Sequence, residues 1–414
     1  MTAQQPDAPL EGPAFYADPY PAYRRLRERS PIHWHAPTNT WLVARHSDAQ
    51  TVLRSPDRFS SVGTQSKLID ILRPELVDEV PTFERRSKVA MLITSDPPSH
   101  TRLRRFLQVM FTPRAIEGLR RSIEELAEEL LDDVHARKSV DAVDAIAFPL
   151  PALVIAEVFG IPRADRDLLK EASQSLVGFI NRSNPNAEIT VQHARAAEAS
   201  LAAFFTYLRE HVADRARNPR ADLISSLVHA EFDGVRLDPE EIIWNLVLFL
   251  SAGHETTTSL ISSGLFLLGR HEDQRGLVRT RPELISAAIE ETLRFESPIQ
   301  RIKRVVAHDT KLGRVHLRAG DSLHVLVGSA NRDPAVFPDP DRFDLQRAPT
   351  LSIAFGKGLH FCIGSTLARV EGEIMVRRIL ARWPSYQLAI DWQPEWSTTT
   401  NPRQLVSLPI VFAG

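Results

Sequence analysis

Phe355-Gly356-Lys357-Gly358-Leu359-His360-Phe361-Cys362-Ile363-Gly364 holds the one cysteine of a 414-residue chain. A single cysteine forms no intramolecular disulfide, and alone it builds no zinc or iron–sulfur site. Three roles stay open for it on these residues: a nucleophile served by His360, a buried small hydrophobe, or an axial ligand to haem. Glycines on both sides let the backbone lie close to a flat ligand. Gly356 and Gly358 predict a tight turn. From Gly364 to Glu371 the pattern is helical, so the sulfur sits at a helix start. The unsatisfied N–H groups and positive dipole end there favour thiolate.

Working upstream, residues 238–269 form the longest helical candidate. Asp238 suits the N-cap, Pro239 the first helical position, and Glu240 and Glu241 the positive dipole end. Inside this apolar helix stands Ala252-Gly253-His254-Glu255-Thr256, followed by Thr257 and Thr258. Glycine costs a helix about 1 kcal/mol against alanine. An acid and three threonines beside it suit a helix that distorts to admit a ligand or water. Pro282 to Phe295 is a further helix, carrying Glu291-Thr292-Leu293-Arg294. Alone, that acid and base form a pair worth a few tenths of a kcal/mol, about 0.2–0.5. Phe337-Pro338-Asp339-Pro340-Asp341-Arg342-Phe343 follows later in the chain. His100 and Arg104 share a helix face at i, i+4.

The rest of the chain reads as mainly helical with a minor β portion. Residues 1–17 look like a loose tail, and 18–414 like one large domain, since no Gly/Ser or Pro-rich linker divides it. Ile32–His35 and Trp41–Ala44 predict a hairpin. Residues 60–95 lack clean periodicity. The pattern is helical from Ser99 to about Arg217, and residues 311–317, 322–327 and those from Gln387 onward are β-like. Apolar and charged contents of 43% and 25% are globular values. A net charge of −2 gives no pull toward nucleic acid or anionic membrane. No uninterrupted apolar run of about 18–20 residues is present. The polar N-terminus lacks the apolar core of a signal peptide, so the expected location is cytoplasmic, without a membrane anchor.

The cysteine loop, the Ala252–Thr256 step, Glu291-x-x-Arg294 and the later Arg342 stand in an order that resembles the cytochrome P450 family, in its soluble bacterial branch. The resemblance covers roughly residues 13–412. It implies the P450 fold: a single large triangular-prism-like domain with haem b between the long distal helix and the helix after the cysteine loop. It implies Cys362 as the axial ligand of the haem iron, with Phe355, Gly356, Ile363 and Gly364 lying against the cofactor. By the same resemblance Thr256 and Glu255 deliver protons to O2, Ala252 lies over the haem and Gly253 makes room for oxygen. His100, Arg104, Arg304 and His360 would hold the haem carboxylates, with Arg suited to bidentate grip. Glu291, Arg294 and Arg342 would form a buried structural brace.

The implied activity is monooxygenation: hydroxylation, dealkylation or epoxidation of a small or medium apolar molecule. A peroxide-driven peroxygenase and a haem sensor or carrier are the alternatives, and the acid–threonine pair argues against both. At this length no reductase domain is fused, so electrons would come from NAD(P)H through a separate ferredoxin and ferredoxin reductase. The expected oligomeric state is monomeric. Arg102, Arg105, Lys357, Arg369, Arg377 and Arg378 would form a basic landing face for the acidic ferredoxin. By analogy the substrate pocket is lined by Leu72, Phe83, Val89, Met91 and Leu92, by Leu176, Phe179 and Ile180, and by Leu248 and Phe249. Ile299, Gln300, Ile302 and Thr399 complete it, with the 181–187 segment as a lid. One departure is Arg403-Gln404-Leu405, where many relatives place glycine after the arginine.

Overall fold

The computed structural model describes residues 10–64, 79–86, 89–165, 168, 171–172, 191–348 and 352–412. The chain groups into two compact units. One comprises residues 1–60, 120–150 and 255–414; the other comprises 61–119 and 151–254.

Among the described residues, the strands all lie in the first unit. β1 (Ile32–His35) and β2 (Thr40–Val43) form the expected hairpin, with Ile32 opposite Val43 and His35 opposite Thr40. Next in the chain come β3 (Phe59–Ser60), β4 (Ser139–Asp141), β5 (Arg301–Val306), β6 (Thr310–Leu312), β7 (Val315–Leu317) and β8 (Ser322–Leu326). β9 (Gln387–Leu388) and β10 (Pro409–Val411) close the series. The main sheet runs β1-β2-β8-β5-β3, and a second sheet runs β4-β10-β9. Only the β2–β8 neighbours of the main sheet are parallel. Its apolar face buries Val43, Phe59, Val306, Leu323 and Val325 with Val52 and Leu53 of the His46–Arg54 helix. Packing of this kind, rather than strand length, stabilises so small a sheet.

The N-terminal segment corrects the sequence reading. Pro13–Ala17 is a helix, and Leu10 and Phe15 are buried against Tyr20, Tyr23 and Leu26. The segment is docked from residue 10 onward. Two distant arginines draw it in: Arg301 donates to the Leu10 carbonyl at 3.0 Å, and Arg403 donates to the carbonyls of Tyr16 and Ala17. The Pro- and Gly-broken stretch around Leu10 and Phe15 has no period that would signal this docking.

The second unit is helical, with Ser99–Leu107, Val191–Arg217 and Leu223–His229 among its elements. Arg215 is buried and donates to Asp222 at 2.7 Å and to the Gly160 carbonyl at 3.0 Å. Asp222 caps the Leu223–His229 helix by accepting from the Ser225 N–H. Gly160 has φ +71°, and a Cβ there would fall 2.4 Å from Asp222 Oδ2. One ion pair thus gathers three helix ends. Among the described residues, no helix is long and apolar enough to cross a membrane.

Candidate active site

The Cys362 loop is fixed within its own unit. The Cys362 N–H donates to the Phe355 carbonyl at 3.0 Å, and the Gly356 N–H to the Ile353 carbonyl at 2.9 Å. Gly358, at φ +69°, would place a Cβ 2.6 Å from the Leu53 carbonyl oxygen. Only glycine lets the loop rest on the end of the His46–Arg54 helix. Gly358→Ala is expected to cost about 2 kcal/mol, from left-handed backbone and steric overlap. The measurement is thermal unfolding, and an unchanged Tm would disprove the close contact.

Two residues after the sulfur, Gly364 is the N-cap of the Ser365–Arg382 helix, with nothing within 4 Å of where its side chain would be. Cys362 is half-buried. This donor set fits haem held by one thiolate: the chain's one cysteine at a helix start, with an open glycine beside it, would supply that sulfur. Among the described residues, no cluster of three or more His, Cys, Asp or Glu is placed to hold a bare metal ion.

Behind the loop lies the expected brace, with one change of partner. Arg294 donates through Nε and Nη2 to the two Glu291 oxygens, both at 2.7 Å. Its other donors reach the carbonyls of Asn331, Pro340 and Arg342. Arg342 therefore enters through its backbone, while its side chain is exposed. The second guanidinium on Glu291 belongs to Arg347, at 3.3 Å. The sequence Asp341-Arg342-Phe343-Asp344-Leu345-Gln346-Arg347 offers two arginines in an irregular segment, where no periodicity says which turns inward. Sequence reasoning also missed Asn331, whose Oδ1 accepts from the Ile353 N–H at 2.8 Å. That bond joins the brace to the loop.

The long helix runs unbroken from Pro239 to Arg270, so the expected distortion at Gly253 is absent. Gly253 has a packing reason of its own, since a Cβ would approach Ile155 Cδ1 to 3.0 Å. Residues 242–250 and 257–268 are all buried. Between them the helix opens: Ala252 is exposed, and Glu255 and Thr256 are half-buried. These three stand at i, i+3 and i+4, on one face, while His254 is buried on another. An accessible acid and hydroxyl on one strip of a buried helix can hold and pass a proton toward a ligand.

The remaining candidates fall on separate elements. His100 is fully buried on the Ser99–Leu107 helix, and Arg104 is half-buried one turn on. Arg304 is buried on β5. It shares a strand face with Ile302, whose Cδ1 would lie 3.7 Å from a Cβ on Gly356. His360 is half-buried at the end of the Gly358–His360 turn. Met91, Leu92, Leu248 and Phe249 are buried, the last with its ring 5.2 Å from Phe111. Val89, Ile299, Ile302 and Thr399 are half-buried, as is Ile363.

Gln300, expected to line the pocket, is buried and held by backbone. Its amide donates to the Ser297 carbonyl at 2.8 Å, and Gly328 lies so close that a Cβ there would overlap Gln300 Oε1. Leu72, Leu176, Phe179, Ile180, the 181–187 segment and the side chain of Phe83 lie outside the described residues. The expected basic face is largely neutralised. Arg102 pairs with Glu241, Arg105 with Asp233, Arg369 with Glu290, and Arg378 with Glu124 and Glu128. Counting cations along a sequence leaves out their counterions.

Comparison with known proteins bears on the family and the fold. The family model described as Cytochrome P450 matches residues 40–280 and 278–384. Cytochrome P450 107B1 of Saccharopolyspora erythraea is 37% identical over 99% of this chain and 98% of its own. The polyketide biosynthesis cytochrome P450 PksS of Bacillus subtilis is 35% identical over 96% and 97%. The solved structure of PksS superposes with a TM-score of 0.85, covering 97% of this chain and 99% of that one. P450BioI, solved with an acyl carrier protein bearing hexadec-9Z-enoic acid, gives 0.83 over 96% and 99%. The mainly helical P450 fold expected from the sequence is the fold observed. Identities of 35% and 37% across nearly the whole of both partners exceed what a shared fold requires. The chain belongs to the cytochrome P450 family of monooxygenases.

Proposed function

We propose that this protein is a haem-thiolate monooxygenase that inserts one atom of O2 into a C–H bond of an apolar substrate. A separate ferredoxin and its NAD(P)H-dependent reductase supply the electrons. The observation that supports this most is the Cys362 loop, which carries the chain's one cysteine to a helix start with its backbone N–H donating to the Phe355 carbonyl. Haem, when bound, supplies the reductive activation of O2, which no side chain provides. Cys362 gives that cofactor its thiolate. His100, Arg104, Arg304 and His360 offer N–H donors to its carboxylates. Glu255 takes protons from solvent, and Thr256 holds the proton in reach of the oxygen side. Val89, Met91, Leu92, Leu248, Phe249, Ile299, Ile302 and Thr399 exclude water and favour carbon over charge.

An apolar substrate is further supported by the relatives. PksS is named for polyketide biosynthesis, P450BioI was solved with a fatty acyl chain, and a CYP109E1 structure contains corticosterone. The test compares turnover by ferredoxin, reductase and NADH with turnover by peroxide, using apolar probes chosen by spin-state shift. Faster peroxide-driven product formation would favour a peroxygenase. Thr256→Ala is expected to lower product formed per NADH by roughly tenfold or more. Unchanged coupling would remove Thr256 from the proton path.

A further inference from the structure

The segment Trp396–Gln404 is an irregular turn, yet it is tied down at nearly every residue. Within it, the Ser397 and Thr399 hydroxyls both donate to the Pro402 carbonyl, at 2.9 and 3.0 Å. Asn401 Oδ1 accepts from the Gln300 and Arg301 N–H groups, and its amide donates to the Arg301 carbonyl at 2.7 Å. The Arg403 N–H donates to the Pro298 carbonyl at 2.8 Å. Its side chain grips Glu296 at 2.8 Å and the N-terminal helix carbonyls, with its guanidinium 3.9 Å from the Trp396 ring. Trp396 in turn meets Phe266 of the long helix edge-on at 5.9 Å.

One bond joins this turn to the long helix next to its open stretch. Ser259, fully buried, donates its hydroxyl to the Arg403 carbonyl at 2.5 Å. Ser259 lies three residues beyond Thr256, one helical turn along the same face. Its neighbour Ser262 is equally buried, but its hydroxyl donates within the helix, to the Thr258 and Ser259 carbonyls. Two serines of the same helix therefore differ in one respect: only the first reaches out.

We propose that Ser259 is a positioning residue, whose bond to the Arg403 carbonyl holds the turn bearing Thr399 and the helix turn bearing Thr256 on one frame. This rests on the function proposed above, in which Thr399 meets substrate and Thr256 serves oxygen. Serine suits the task physically. A buried hydroxyl has one proton to give, and a carbonyl on irregular backbone needs a partner once water is excluded. A loosened turn would let the substrate shift relative to the proton donor, and displacements of about 1 Å are enough to cost turnover.

The experiment uses the haem-loaded full chain as wild type, Ser259→Ala and Ser262→Ala. Amide hydrogen exchange is followed across 396–405 and across 251–262, and 4-phenylimidazole affinity is read from the haem spectrum. In Ser259→Ala, exchange across 396–405 is expected to quicken about tenfold and affinity to weaken about fivefold. Ser262→Ala is expected to change neither by more than about twofold. Equal responses from the two variants, or none from either, overturn the proposal. Should Ser259→Ala yield no holoprotein, Ser259→Cys keeps the volume with a weaker donor and carries the same expectation. A wild-type reduced carbon monoxide spectrum without the thiolate band would overturn the functional reading separately, because the exchange comparison does not depend on turnover.

Discussion

Arg294→Ala is expected to cost about 3–5 kcal/mol and to lower haem content with it. Arg294 has no exposed surface, and all five of its N–H donors have acceptors: two Glu291 oxygens and three backbone carbonyls. Its removal leaves a buried carboxylate whose remaining guanidinium partner, Arg347, stands farther off at 3.3 Å. It also strands the carbonyls of Asn331, Pro340 and Arg342. Arg294→Lys rescues little, since three donors on a flexible stem do not reproduce a planar fork. The damage reaches the cysteine loop in two bonds, from Asn331 Oδ1 to the Ile353 N–H and from the Ile353 carbonyl to the Gly356 N–H. Arg342→Ala, by contrast, trims an exposed side chain and is expected to change stability by no more than about 0.5 kcal/mol. Denaturant unfolding with haem quantification separates them. Equal losses in both variants would return the brace to the Arg342 side chain.

Local signals in the sequence were enough where chemistry is local. The glycine–cysteine loop, the Glu291–Arg294 spacing and the i, i+3, i+4 placement of Ala252, Glu255 and Thr256 are all fixed by neighbours within a few residues. Helix and strand patterns likewise located the 239–270 helix and the β1–β2 hairpin to within two residues. Failures came where a side chain's direction depends on irregular backbone or on a partner hundreds of positions away. Arg347 displaced Arg342 because the segment after Pro338 has no period. Gln300 follows Ile299 and reads as pocket lining, and nothing local shows that its amide packs against Gly328. Leu10 and Phe15 stand among Pro, Gly and Ala with no helical or strand period, and they dock where Tyr23, Leu26, Arg301 and Arg403 meet them. Ser259 gave no signal at all, since a helical serine is ordinary until its acceptor is seen.

Glu371→Gln is expected to stabilise the protein at neutral pH. Glu371 lies buried on the Ser365–Arg382 helix, which begins three residues after Cys362. Its Oε2 has no hydrogen-bond partner among the described residues. Burial pushes its carboxyl up from 4.5 to about 8. The unfolded chain thus releases this proton near 4.5 and the folded one near 8. Below the lower value both states are protonated, and the group adds no pH dependence. Between the two the folded state holds the extra proton, so stability falls as pH rises, and above about 8 the loss is complete. At pH 7 the loss is on the order of 3 kcal/mol, from about 1.4 kcal/mol per pH unit. Glutamine has a similar shape and no proton to lose. Wild-type Tm should therefore drop between pH 5 and pH 8 more steeply than that of Glu371→Gln, with the two converging near pH 4.5. If the glutamine variant were the less stable at pH 7, the carboxylate would be ionised in the fold and held by a cation. If the two fell in parallel, the titrating group would lie elsewhere.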